Sequence, residues 1–87
     1  MTMRRKIFET GLSVETISLY LLCLGFHDQG ERVSRKNLLR VWNGSGNEFA
    51  KSLDALFNKN ILREILSDIE DEDSAVYALN DADQWIA

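Results

Sequence analysis

Apolar residues recur at helical spacing in three separate segments of the chain. The first segment begins at Ser13, a residue type that caps helices, and places Val14, Ile17, Leu21 and Leu24 on one face. Further apolar residues lie off that face: Leu19, Tyr20, Leu22, Cys23 and Phe26. Because this surface is wider than one stripe, the first helix is predicted either to be the centre of the domain or to carry a second buried face. In so short a chain, a second buried face suggests a dimer.

The first helix is expected to end at Gly25 and the polar residues 27–30. Residues 31–33 are long enough only for a short extended segment. Ser34 is then predicted to cap a second helix, which stops at residues 43–44. The sequence therefore predicts two helices separated by a short extended piece.

The third helix is marked by Ser45 and Glu48, which have the spacing of a capping box. In this motif the serine oxygen accepts a hydrogen bond from the backbone amide of Glu48. Asn60 is placed where a left-handed residue closes a helix. The apolar face of this helix is predicted to comprise Phe49, Ala50, Leu53, Leu56 and Phe57.

After Asn60 the pattern changes to one typical of strands. Residues 61–67 are rich in branched side chains, and residues 75–79 read as a returning strand, with a charged tip at 68–73 between them. The two strands predict a hairpin. Asn80 is expected to cap a last short turn, after which Trp85 and Ile86 supply an apolar anchor.

This order of elements resembles that of the winged helix-turn-helix superfamily over residues 13–79. The segments that carry the resemblance are the turn Asn43-Gly44-Ser45-Gly46, the step Lys59-Asn60-Ile61-Leu62 and the strand Tyr77-Ala78-Leu79. The predicted fold class is α+β: a mostly helical winged helix-turn-helix, with three helices followed by a two-stranded β-hairpin wing and a short C-terminal turn. An N-terminal basic arm over residues 1–12 precedes a single winged-helix domain over residues 13–87.

The resemblance implies a small transcriptional regulator that reads duplex DNA with its third helix in the major groove. A helical projection leaves Asn47, Lys51, Ala55 and Asn58 opposite the apolar face, flanked by Ser52 and Lys59. The residues expected to face bases are Asn47, Lys51, Ser52 and Asn58, and those expected to hold phosphates are Arg35, Lys36, Arg40 and Lys59. A homodimer is expected through the first helix, together with the arm and the Trp85-Ile86 end.

Charge is distributed unevenly along the 87 residues, whose formal net charge is −4. Residues 1–66 contain all ten basic side chains and seven acidic ones, whereas residues 67–87 contain seven acidic side chains and no basic one. Wings that press against DNA usually carry arginine or lysine, but this tip carries Asp68, Glu70, Asp71, Glu72 and Asp73. An acidic tip of this kind is repelled by phosphate unless it points away from the DNA.

The acidic tip therefore supports an alternative function, a winged-helix adaptor that grips a basic partner protein through its wing and C-terminal tail without binding DNA. A third possibility is a nucleic-acid mimic, which requires a continuous acidic face. The tip is equally consistent with a solvated loop that blocks edge pairing and aids solubility.

Other chemistry has little support in the sequence. Cys23 and His27 are four residues apart, but two ligands do not make a metal site, and a lone cysteine forms no internal disulfide. The longest strongly apolar run, residues 19–26, is too short to span a bilayer, and residues 1–8 lack the features of a signal peptide. The expectation is a cytoplasmic protein without cofactor, metal or enzymatic activity.

Overall fold

The structure is a computed structural model that describes residues 6–68 and 71–86; for residues 66–68 and 71–74 it describes the backbone only. Three helices are followed by an antiparallel hairpin, which confirms the predicted α+β winged-helix layout. The elements are α1 (Val14–Asp28), α2 (Arg35–Val41), α3 (Gly46–Asn58), β1 (Leu62–Asp68) and β2 (Asp71–Leu79), with short 3-10 turns at Ile7–Glu9 and Ala82–Gln84.

Each helix begins at a serine whose hydroxyl oxygen accepts a hydrogen bond from a backbone amide of the first turn. This oxygen satisfies an amide that has no partner within the helix, which is why serine favours this position. The three bonds join Thr16 N to Ser13 Oγ (3.2 Å), Asn37 N to Ser34 Oγ (3.1 Å) and Glu48 N to Ser45 Oγ (3.1 Å). All three predicted caps are confirmed.

Helix α1 ends at Asp28, within the predicted polar residues 27–30, rather than at Gly25. The chain turns where Gly30 adopts a positive φ of 72° and Glu31 N donates to Phe26 O (2.9 Å). One glycine weakens a helix interior by only about 1 kcal/mol, which burial of the apolar residues around it can offset, so the helix continues through Gly25. Asn60, with φ 57°, closes α3 as predicted.

Strand β2 is longer than predicted, whereas β1 has the predicted length and starts one residue later. Strand β2 begins at Asp71, four residues before the predicted start, and its backbone pairs with that of Asp68. An antiparallel pair requires only an extended backbone, which charged residues can adopt as well as apolar ones. The predicted tip at 68–73 is corrected accordingly: the backbones of Asp68, Asp71, Glu72 and Asp73 belong to the strands, and Glu70 lies outside the described residues.

The extended segment before α2 joins the hairpin. Ser34 forms an isolated antiparallel bridge with Val76, and Tyr77 N donates to Val33 O (2.8 Å). Strand β2 is thus flanked by β1 on one edge and by this segment on the other. The prediction of a short extended piece between the first two helices is confirmed, and its pairing fixes the start of α2 against the hairpin.

The predicted N-terminal arm is in part integrated into the domain. Ile7 is fully buried in the core, and Lys6 Nζ donates to Ala82 O (2.9 Å) while lying 5.6 Å from the centre of the Trp85 ring. Residues 6–12 therefore pack onto the domain, because Ile7 fills core space that a detached arm would leave open. Residues 1–5 of the predicted arm lie outside the described residues.

Asn80 does not cap the last turn. It is only 3% exposed, and its side chain donates to Asn60 O (2.9 Å) and accepts a hydrogen bond from Arg63 Nη1. The 3-10 turn Ala82–Gln84 instead follows Asp81, which makes no side-chain capping bond. A buried amide needs such partners, and here they hold the end of β2 against the turn between α3 and β1.

Candidate nucleic-acid interface

Helix α3 buries one side and exposes a polar stripe on the other. Of the predicted apolar face, Phe49, Leu53 and Leu56 are buried and Phe57 is half-buried, whereas Ala50 is exposed and corrects the prediction. The exposed stripe consists of Asn47, Lys51, Asp54 and Asn58. Their spacing of four, three and four residues keeps these side chains on one side of the helix. This stripe is the part of α3 that is open to a groove of DNA or to a protein surface.

Asp54 is a member of this stripe that the sequence projection missed. Ala55, which the projection placed there, is half-buried and lines a shallow depression beside the start of α1. Glu48 and Asp54 stand three residues on either side of Lys51, so the helix bears two carboxylates against one ammonium group. At 100° per residue Asp54 projects close to Asn47, a signal that the sequence already contained.

Ser52 was predicted to face bases, and its burial corrects that prediction. Only 2% of the residue is exposed, because it lies three residues after Phe49 and four before Leu56 on the side of α3 that packs against the rest of the domain. A side chain held there has no access to a base edge. The remaining predicted base contacts, Asn47, Lys51 and Asn58, are all exposed.

Arg35 makes a packing contact within the domain. Its guanidinium lies 5.3 Å from the centre of the Phe49 ring and hydrogen-bonds to the hydroxyl of Tyr77. Burial raises the pKa of Tyr77 above its usual range, and the charge and hydrogen bond of Arg35 oppose that rise. Half-buried between α2, α3 and β2, Arg35 serves to hold these elements together.

The other predicted phosphate ligands differ in exposure. Lys36 and Arg40 are exposed and four residues apart on α2, a helix without any carboxylate. Lys59 is half-buried after the end of α3, where its backbone carbonyl accepts a hydrogen bond from Ile86 N (2.8 Å). The strongest local excess of positive charge in the three helices is therefore on α2.

Cys23 and His27, whose spacing suggested a metal site or a reactive thiol, lack the surroundings that such chemistry requires. Cys23 is fully buried, and burial raises the pKa of its thiol to about 12, which makes it a poor nucleophile at neutral pH. His27 is exposed on the last turn of α1. Among the side chains that the structure describes, no three from His, Cys, Asp or Glu are grouped to hold a metal ion. No helix in the described part of the chain is long and apolar enough to cross a membrane.

Comparison with known proteins found no family model, curated protein or solved structure that matches this chain. A function for the chain must therefore be inferred from its own residues. The two features with the clearest bearing on a partner are the cationic surface of α2 and the polar stripe of α3.

Proposed function

We propose that this chain is a small winged-helix transcriptional regulator that binds duplex DNA in the cytoplasm. The observation that carries the proposal is the pair of exposed cations Lys36 and Arg40, on a helix without carboxylates that precedes the open polar stripe of α3. In a helix-turn-helix arrangement the second helix contacts the backbone while the third enters the major groove. In this proposal Lys36 and Arg40 of α2 contact phosphates, and Lys51 of α3 neutralises a third phosphate beside the bases that the stripe reads.

The stripe of α3 suits base reading better than phosphate neutralisation. An asparagine amide pairs with adenine through two hydrogen bonds, and an aspartate accepts one from the amino group of cytosine. Asn47 and Asn58 supply the amides, Asp54 the carboxylate and Lys51 one cation. Because only three cations contribute, the proposed complex depends less steeply on salt than complexes with about six to ten phosphate contacts, and it derives its specificity from the hydrogen bonds that the stripe makes to bases.

Salt dependence of duplex binding tests the proposal. For contacts by Lys36, Arg40 and Lys51, the log–log plot of affinity against salt has an expected slope of about −2.7, because each neutralised phosphate contributes about −0.9. Fluorescence anisotropy with a mixed-sequence duplex at several salt concentrations measures this slope. Arg32→Gln, at an exposed site outside the three helices, serves as a control and should leave the slope unchanged. A parent protein that does not bind at low salt contradicts the proposal.

A second function is favoured by the charge of α3 and of the hairpin. Lys51 stands between Glu48 and Asp54, and five acidic residues occur at positions 68 and 70–73. We infer that the alternative function is that of an adaptor. It binds a basic partner protein through the hairpin and C-terminal tail and does not bind DNA. In this arrangement the acidic residues are the binding surface, and the cations of α2 are solvated.

Replacing Glu70, Asp71 and Glu72 with serine separates the two functions. Under the adaptor proposal, the triple variant loses affinity for a lysine-rich peptide, because attraction to three carboxylates is removed. Under the DNA proposal, duplex affinity stays constant or rises, since a source of phosphate repulsion is gone. Titrating both labelled probes against the parent and the variant measures the two outcomes together, and unchanged peptide affinity contradicts the adaptor.

A further inference from the structure

The face of the hairpin that is turned away from the core carries a groove of about 540 Å³. Ala75 and Tyr77 of β2 belong to the core, so the alternate residues Val76 and Ala78 lie on the opposite face. Arg63 of β1 pairs with Ala78 and shares this face. Residues 27 and 30–33 complete the lining. We call this depression the sheet groove.

Ala78 lies between two arginines in the sheet groove. On one side Arg63 is directly opposite Ala78. On the other side the antiparallel bridge between Ser34 and Val76, continued by two residues, brings Arg32 level with Ala78. Because neighbouring strands are about 4.8 Å apart, the backbones of the two arginines are separated by about 10 Å. The small side chain of alanine leaves the space between them open.

The guanidinium of Arg63 is held in position by a buried amide. Its Nη1 donates to Oδ1 of Asn80, which is 3% exposed and whose Nδ2 donates to Asn60 O (2.9 Å). Because an amide oxygen carries no net charge, Asn80 orients the guanidinium without neutralising it. The planar fork of a guanidinium binds a carboxylate through two parallel hydrogen bonds, and a fork that is oriented beforehand loses less freedom on binding.

The charges that line the sheet groove favour an anion. Among its described side chains, the guanidiniums of Arg32 and Arg63 face only one carboxylate, that of Glu31. The imidazole of His27 lies at the same groove and supplies a further N–H donor. An anionic group placed between the two arginines is therefore attracted from both sides.

The floor of the sheet groove is apolar. Val76 is 8% exposed although it faces away from the core, and Ile65 beside it is 57% exposed. Together with Ala78 these side chains form a flat surface on the strands. An inorganic anion would leave this surface uncovered, whereas a neutral hydrocarbon would bring no charge to the two guanidiniums. A ligand with both an anionic group and a planar apolar body satisfies the whole groove.

We propose that the sheet groove is a binding site for a small aromatic carboxylate, with its carboxylate between Arg32 and Arg63 and its ring on Val76 and Ala78. Guanidinium groups also stack on aromatic rings, which favours a planar ligand over an aliphatic one. The groove has the volume of small-molecule sites, which is about 300–1,000 Å³. This activity is additional to duplex binding, because the groove includes neither the cations of α2 nor the polar stripe of α3.

Titration of the full chain with naphthoate, followed by backbone amide NMR spectra, tests the proposal. The shifts are expected to saturate with a dissociation constant of about 1 mM or below and to be confined to residues 30–33, 63–65 and 76–79. Naphthamide has the same shape without the charge and should bind at least about tenfold more weakly. Spectra that do not change up to about 10 mM naphthoate, or shifts centred elsewhere, overturn the proposal. Equal affinities for naphthoate and naphthamide also overturn it.

Variants assign the two parts of the site. Arg32→Gln should weaken naphthoate binding about tenfold, and Ala78→Leu, which fills the space between the arginines without changing any charge, should abolish it. Arg40→Gln removes a cation of α2 outside the groove and should leave naphthoate affinity unchanged. Thermal unfolding shows that each variant is folded, and parental affinity of folded Ala78→Leu overturns the proposed position of the ring. These measurements contain no DNA, so their failure leaves the proposal of duplex binding intact.

Arg63 is not the primary test position, because its replacement also deprives the buried amide of Asn80 of a partner. Arg63→Lys keeps the positive charge and loses the planar fork. It should weaken naphthoate binding by about tenfold in a protein that remains folded. Unchanged affinity of folded Arg63→Lys contradicts paired hydrogen bonding at this position.

Discussion

Exchanging Arg40 and Lys51 for glutamate is expected to weaken binding of a mixed-sequence duplex roughly 60-fold at about 0.1 M salt. Each phosphate contact at that salt concentration contributes a factor of about eight, so the loss of two contacts gives roughly 60-fold, and the two glutamates leave no attraction to phosphate at these positions. The slope of log affinity against log salt should fall from about −2.7 to about −0.9, since Lys36 alone remains. Anisotropy at four or more salt concentrations measures both quantities.

The control for this variant is Arg32→Glu, which reverses one exposed charge in the extended segment before α2, outside the proposed contacts. It should change affinity only slightly and leave the slope near that of the parent. Thermal unfolding of all variants, followed by circular dichroism, establishes that they are folded. If the double variant binds duplex as tightly as the parent, α2 and α3 are not the DNA surface, and the acidic hairpin becomes the leading candidate for the binding site.

Replacing Phe49 with alanine is expected to destabilise the domain by about 3–5 kcal/mol. Phe49 is fully buried, its ring lies edge-on to Trp42 at 5.7 Å between ring centres, and the guanidinium of Arg35 lies 5.3 Å from its ring centre. Domains of this size have total stabilities of about 4–13 kcal/mol, so much of the folding free energy is lost. Urea denaturation followed by tryptophan fluorescence and by circular dichroism measures the change in the free energy of unfolding.

Two further variants serve as controls. One separates the loss of apolar volume at position 49 from the loss of its aromatic contacts, and the other shortens an apolar side chain at an exposed site. Phe49→Leu keeps most of the apolar volume and removes the aromatic contacts, so its cost should be much smaller than that of Phe49→Ala. Leu39→Ala shortens an apolar side chain that is already 36% exposed and should cost less than about 1 kcal/mol. Equal midpoints for the parent and Phe49→Ala would show that burial of the Phe49 ring does not stabilise the domain.

The features that the sequence predicted correctly depend on chemistry within a few residues. Ser13, Ser34 and Ser45 cap helices because each oxygen reaches an amide three residues ahead. Asn60 closes α3 because asparagine tolerates positive φ. Since the order of elements follows from such local signals and from hydrophobic spacing, the winged-helix layout could be predicted as well.

The features that the sequence did not predict depend on contacts between distant residues. The burial of Ser52 depends on which part of the domain covers that side of α3, and the role of Arg35 depends on Phe49 and Tyr77 being beside it. Asn80 reads locally as a helix cap, but its partners Asn60 and Arg63 lie about 20 residues away. Spacing along one element cannot identify such partners. Asp54 is different, because a complete projection of α3 would have placed it on the exposed stripe.

The two ends of the described chain meet at one corner of the domain. Lys6 lies against Ala82 and Trp85, and the Trp85 ring lies edge-on to Tyr20 of α1 at 5.5 Å between ring centres. Residues 6 and 86 are therefore close enough for a short linker to join them, after which the chain can be opened in the exposed turn around Gly30. The resulting circular permutant runs from α2 through the hairpin and ends with α1. We expect it to keep the contacts of the parent, in which case α1 packs in the same place although it comes last in the chain.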